Sequence, residues 1–179
     1  MADLPAPILL NVGRIAVEKN IEAFLDCRVP GTKVLVGEGP AFAELRTRYP
    51  DVRFLGAMHG EELASAYRSA DLFVFPSLTD TFGLVNIEAL ASGLPVAAFP
   101  VPGPLDILGE DGRGVHGGQR RIGAVDGDLA IAVRRALTAD RVAAIAGARH
   151  YSWERCTDRL LEGLAVEAPF MTDWRAVAA

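Results

Sequence analysis

The stretch Leu72-Phe-Val-Phe-Pro-Ser-Leu-Thr-Asp-Thr-Phe-Gly-Leu-Val-Asn-Ile-Glu-Ala-Leu-Ala-Ser-Gly93 decides the fold. It begins with four apolar residues, too few for a helix and without polar alternation, which reads as a strand buried on both faces. A polar loop follows from Pro76. A helix then starts near Gly83 and stops at Gly93, a residue suited to ending helices. Next comes another apolar run, Pro95 to Phe99. A buried strand, a helix and a second buried strand form the unit of a parallel sheet.

The same unit repeats outward in both directions. Upstream, Ile8 to Val12, Lys33 to Val36 and Val52 to Leu55 read as three strands. Between them lie helical spacings: Glu18 to Leu25 with Ile21, Phe24 and Leu25, then a face of Phe42, Leu45 and Tyr49, then Glu61 to Ser69 with Leu63 and Tyr67 facing inward. Downstream, Gly109 to Gly127 is glycine-rich and holds either a sixth short strand or a loop. The tail is helical, with a stripe of Leu129, Ala132, Val133, Ala136 and Leu137, and then Ser152 as N-cap before Trp153, Cys156, Leu160 and Leu164. The expected fold is an α/β, doubly wound, parallel sheet of about six strands with helices on both faces. One domain is expected over residues 1–165, with a tail of uncertain structure over 166–179.

Bulk properties narrow the function classes. The chain has 179 residues, 50% of them hydrophobic, enough for a full core. A net charge of -5 argues against nucleic acid as a partner, because phosphate backbones select clustered Lys and Arg. The basic run Arg113 to Arg121 reads as a solvated loop. No apolar run approaches the roughly 20 residues of a membrane span, and the start lacks a signal-peptide pattern, so a cytoplasmic location is expected. Cys27 and Cys156 read as reduced thiols, and no Cys/His spacing suits zinc.

In an open parallel sheet, ligands sit beyond the carboxyl ends of the strands. The segments there are Gly13-Arg14 with Glu18-Lys19-Asn20, Gly37-Glu38-Gly39-Pro40, Gly56 to Gly60, Pro76 to Gly83 and Pro100 to Pro104. Gly83 lets a ligand approach the backbone, and the helix after it offers free N–H groups to a phosphate. Glu88 leans back toward that helix start. Carboxylates repel phosphate but bond sugar hydroxyls well. With Asp80 before the helix, the arrangement suits a phosphate between two polyols, as in a nucleotide sugar. A second reading stays open on these positions: Asp80 caps the helix and Glu88 is a solvated first-turn acid. His59 stands where it caps the next helix or touches a base. Lys19 near a helix start sits badly in the helix dipole unless an anion is present, and with Arg14 it can neutralise a diphosphate. Val36-Gly-Glu-Gly39 lacks the third glycine of a dinucleotide fingerprint.

These residues carry a resemblance. Gly13-Arg14 with Glu18-Lys19-Asn20, Val36 to Pro40, Phe54 to Gly56, Asp71 to Ser77 and Thr81 to Val96 occur in order. They resemble the C-terminal, nucleotide-sugar-binding domain of family 4 glycosyltransferases with the GT-B fold, a Rossmann-like half. Tyr151 to Glu154 resembles that family too. The resemblance covers about Ile8 to Leu108 and implies a retaining hexosyltransferase that needs no cofactor and no metal, with a nucleoside-diphosphate sugar, UDP- or GDP-linked, as donor. It implies that Arg14 and Lys19 hold the diphosphate and that backbone from Phe82 through Gly83 and Leu84 to Val85 holds sugar and phosphate. Glu88 would take the ribose, Asp80 the hexose and the Gly56 loop the base, with Gly13 and Gly37 flooring the site. The family usually has Glu where Asp80 stands, which leaves the sugar open. Branches with aspartate there resemble mannosyl- and other lipid- or polysaccharide-directed transferases, and the resemblance leaves open a membrane association made through the full-length enzyme. The family's N-terminal acceptor domain has no counterpart here, so the isolated chain is expected to be an inactive donor half. A non-catalytic nucleotide-sugar-binding module is the alternative.

Overall fold

The computed structural model describes residues 3–167. The chain forms two units, Met1–Ala148 and Arg149–Ala179. The first unit is built on six strands: β1 Ile8–Val12, β2 Thr32–Val36, β3 Arg53–Phe54, β4 Leu72–Phe75, β5 Val96–Ala98 and β6 Gly123–Val125. All pairings are parallel and the order is β3-β2-β1-β4-β5-β6. The glycine-rich segment therefore does hold a sixth strand, paired to β5.

The helices of this unit are α1 Ile21–Asp26, α2 Phe42–Arg48, α3 Gly60–Ser69, α4 Leu84–Ala91, α5 Pro102–Leu108, α6 Leu129–Ala136 and α7 Arg141–Ala148. Strand residues alternate between the two faces of the sheet. Leu9, Leu35, Leu72, Val74 and Ala97 join one cluster with Ile21 and Phe24 of α1, Leu45 of α2, and Leu129, Ala132, Val133 and Ala136 of α6. On the other face Phe73 meets the Tyr67 ring of α3 at 5.8 Å between centroids. Phe24 and Phe73 are fully buried, each stabilising the fold by about 1.5–3 kcal/mol relative to exposure. Both faces are thus covered, which is why β4 has no polar alternation.

Two local expectations are corrected. The helix expected over Glu18 to Leu25 is broken: a 3-10 turn, Val17–Lys19, ends at Asn20, and α1 begins after it. Asn20 has φ 52, a left-handed conformation that asparagine tolerates better than most residues. Its amide donates to the Pro76 carbonyl at 2.9 Å, which holds the break open. The segment Pro100 to Pro104 after β5, in which no helix was expected, enters α5 at Pro102. Proline at the first helical position loses no hydrogen bond and presets φ, so its presence there starts a helix.

In the second unit, α8 spans Trp153–Glu167. Ser152 caps it as expected, its hydroxyl accepting the Arg155 N–H at 3.2 Å. Residues 168–179 of the expected tail lie outside the described residues. Among the described residues, no helix is long and apolar enough to cross a membrane.

Candidate functional site

The strand order reverses between β1 and β4. At such a point the connections leave in opposite directions and open a crevice at the carboxyl edge. The loops that follow β1 and β4 are tied together by side chains. Asn11, 4% exposed inside β1, donates its amide to the Val74 carbonyl at 2.9 Å. Asn20 reaches Pro76, and the Thr79 hydroxyl donates to the Glu18 carbonyl at 3.3 Å. Lys19 Nζ meets Asp80 Oδ1 at 2.5 Å. Of the residues expected to act, Lys19 and Asp80 are thus brought into direct contact across the crevice.

The Lys19–Asp80 pair is mostly shielded, with side chains 31% and 21% exposed. Burial pushes the Asp80 carboxyl up, but the Lys19 hydrogen bond and charge outweigh it and hold the group below its ordinary value. The Ser77 hydroxyl favours the ionised form as well, although it does not meet Asp80 in hydrogen-bond geometry. Asp80 is not a helix cap. The N-cap of α4 is Gly83, with φ 76 and no side-chain cap bond. The start of α4 therefore has no side-chain cap on its first backbone N–H groups, and it follows by three residues the carboxylate that Lys19 holds.

Glu88 is not a first-turn acid either. It lies one turn into α4, and its Oε2 accepts the Tyr67 hydroxyl of α3 at 2.9 Å. Burial, and then the Glu88 charge and hydrogen bond, raise the Tyr67 phenol far above its ordinary value. Tyr67 is 2% exposed while Glu88 is exposed, so the phenol is a fixed post that orients a solvent-facing carboxylate. Arg14 is placed otherwise. Its side chain is 64% exposed and pairs with Glu18 at 3.2 Å, an exposed pair of small energetic weight that leaves the guanidinium free to re-aim.

The glycines assemble the floor. Gly13 N–H donates to the Val36 carbonyl at 3.0 Å, and Gly37 N–H to the Gly56 carbonyl at 2.7 Å. A Cβ at Gly37 would overlap the Gly13 carbonyl, so the loops after β1, β2 and β3 close on each other only because position 37 has no side chain. The Phe82 carbonyl lies 2.8 Å from where a Cβ at Gly103 would stand, which seats the Asp80–Gly83 turn on the start of α5. Leu84, 59% exposed, and Val85 open α4.

Other residues take ordinary roles. His59 occupies the N-cap position of α3, but its side chain makes no cap bond. Arg113 and Arg120 of the basic segment pair with Asp111 and Asp140. Cys27 is buried and Cys156 exposed, both free thiols. Among the described residues no group of three or more His, Cys, Asp or Glu is placed to hold a metal ion. The residues left without a role of their own in the sequence reading are Asn11, Asn20 and Ser77. Asn20 and Ser77 were visible only as members of longer runs, and Asn11 as the polar residue in an otherwise apolar strand.

The family model described as "Glycosyl transferases group 1" matches residues 6–138. The sulfoquinovosyl transferase of Arabidopsis thaliana is 42% identical over 117 residues, which are 62% of this chain and 23% of that protein. A GDP-mannose-dependent alpha-mannosyltransferase of Corynebacterium glutamicum is 44% identical over 108 residues, 59% of this chain and 25% of that protein. The solved structure of sucrose-phosphate synthase from Thermosynechococcus elongatus superposes with a TM-score of 0.68 at 28% identity, over 94% of this chain and 47% of that one. The match thus spans about a quarter of the length of these two relatives.

Proposed function

The chain belongs to the glycosyl transferases group 1 family, and on that premise we propose that it is the donor-binding, C-terminal half of a family 4 enzyme with the GT-B fold. It binds a nucleoside-diphosphate hexose at the carboxyl edge of β1 and β4. A second domain, outside these 179 residues, binds the acceptor whose hydroxyl receives the sugar, and transfer retains the anomeric configuration without metal or cofactor. The observation that carries this reading is the Lys19–Asp80 contact beside the uncapped start of α4. A cation and a carboxylate side by side, three residues ahead of a helix start with no side-chain cap, support a reading in which a diphosphate adjoins a sugar there.

In the reaction the bond from the sugar's anomeric carbon to the diphosphate oxygen breaks, a bond to the acceptor oxygen forms, and the acceptor's hydroxyl proton passes to the departing diphosphate. Negative charge grows on the departing diphosphate. Lys19, Arg14 and the N–H groups of Leu84 and Val85 stabilise it there, and these interactions strengthen toward the transition state. Glu88, steadied by Tyr67, accepts hydrogen bonds from the ribose hydroxyls, and Asp80 accepts one from the hexose. UDP and GDP are the expected nucleotides. The two relatives described above are named for different sugars, which fits a shared diphosphate site with a variable sugar end.

Titration of Lys19→Ala and Glu88→Ala with the nucleotide sugar that the wild-type chain binds tests the assignment. Each is expected to weaken binding by about 1–3 kcal/mol, the scale of a lost charged hydrogen bond. Unchanged affinity in both would remove these residues from the site.

A further inference from the structure

Among the described residues, the buried side-chain polar atoms without a hydrogen-bond partner are Ser77 Oγ, Asp80 Oδ2 and both amide atoms of Asn86. All lie between Ser77 and Asn86, on the loop after β4 and the first turn of α4. Asn86 is 0% exposed and Ser77 1%. A buried amide with no partner costs stability. Elsewhere the fold avoids that cost: the buried amide of Asn11 has its partner on β4. Such local conflicts gather where function, rather than stability, sets the sequence.

The Asn86 amide has a definite neighbour. A Cβ at Gly83 would stand 2.7 Å from Asn86 Nδ2 and 3.0 Å from the Phe75 ring. The amide therefore abuts the left-handed turn that opens α4, whose first backbone N–H groups have no side-chain cap. Being fully buried, it acts through that turn and not on a ligand itself.

We propose that Asn86 is a positioning residue of the donor site. When the donor enters, the Asp80–Gly83 turn resettles and its backbone takes up the idle amide of Asn86. This fixes the N–H groups at the start of α4 on the diphosphate. A hydrogen bond made only in the bound form adds to donor affinity and not to the stability of the free fold. The inference rests on the donor-site reading above, and deepens it by a residue that the family resemblance did not single out.

The test replaces Asn86 by leucine, which branches at the same carbon and has no polar atoms. The melting temperature of Asn86→Leu is expected to equal or exceed that of the wild type, because an unpaired amide is removed. Calorimetric affinity for UDP or GDP, whichever the wild-type chain binds, is expected to fall by about tenfold. Affinity for the corresponding nucleoside, which lacks the diphosphate, is expected to stay unchanged. Asn86→Ala is expected to melt lower, through the cavity it leaves, but to show the same selective loss. Folded variants that bind the nucleoside diphosphate within about twofold of wild type overturn the proposal. Failure of both variants to fold overturns it too, by making Asn86 a structural residue. Failure of the wild type itself to bind either nucleotide overturns the donor-site reading, and this inference with it.

Discussion

Asp80→Asn separates two demands on Lys19. In the free protein Lys19 is bound to Asp80 at 2.5 Å, with both side chains more than two-thirds buried. A charged hydrogen bond of this kind is worth about 1.5–3 kcal/mol. Residual exposure and the entropy of holding a lysine bring that to about 1–2 kcal/mol. An incoming diphosphate has to share Lys19 with the carboxylate, so part of that energy opposes binding. Asparagine keeps the shape and removes the charge. Affinity for bare UDP or GDP is then expected to rise by about 3–10-fold. Affinity for the nucleotide sugar is expected not to rise with it, because the carboxylate that bonds the hexose is gone. The ratio between the two ligands, measured by calorimetry, therefore falls. The same substitution costs fold stability at neutral pH by about 1–2 kcal/mol, or about 2–8 °C in melting temperature for a chain of this size. Asp80 is held below its ordinary value, so the native state releases this proton more readily than the unfolded chain. The pair's contribution is present above about pH 4 and disappears as pH falls through the lower folded value. Wild-type and variant melting curves should converge in acid. A parallel fall in affinity for UDP and its sugar conjugates would refute the reasoning, because Asp80 would then be supporting the diphosphate site.

Tyr67→Phe removes the hydroxyl that steadies Glu88, and is expected to cost about 1 kcal/mol of stability and to weaken donor binding less than Glu88→Ala does; equal losses in the two variants would contradict the orienting role. The raised Tyr67 value means the native state keeps a proton that the unfolded chain loses, so stability should decline as pH rises above about 10, with one tyrosine silent in an ultraviolet titration of the folded protein. Tyr67→Phe should abolish that alkaline component. Gly37→Ala places a methyl group against the Gly13 carbonyl at φ 136; a cost of about 3 kcal/mol, roughly 6–12 °C in melting temperature, is expected, and an unchanged melt would show that the floor can shift. Gly83→Ala has φ 76 and crowds Asn86 Nδ2 at 2.7 Å, so it is expected to lower both stability and donor affinity.

Most of the fold was legible because its central strands are buried on both faces. Runs such as Leu72 to Phe75 have no solvent side, so composition alone marks them, and the helical spacings between them fix the parallel connections. What escaped was local. No helix was expected over Pro100 to Pro104, although a proline in the first turn is a helix starter. Asn20 looked helical, because nothing in the neighbouring residues shows that its amide reaches a carbonyl fifty-six positions away. The site divides in the same manner. Lys19, Asp80 and the glycines are visible as residue types after strands, since the carboxyl edge collects them whatever the packing. Their pairing is not visible, because it depends on the register of β1 against β4. Tyr67 was read as a core residue from its apolar face, and its hydroxyl found Glu88 only through the packing of α3. Asn86 looked like any helical polar residue. That it is fully buried follows from the way α4 lies on the sheet.

The most direct test of the donor-site assignment is calorimetric titration of the 179-residue chain with UDP, GDP and their common hexose conjugates, without added metal, beside a thermal melt of the same sample. Saturable binding of one nucleotide in preference to the other, tightened by its sugar conjugate and lost in Lys19→Ala, is the predicted result. A cooperative melt with no binding of any of these ligands would contradict it.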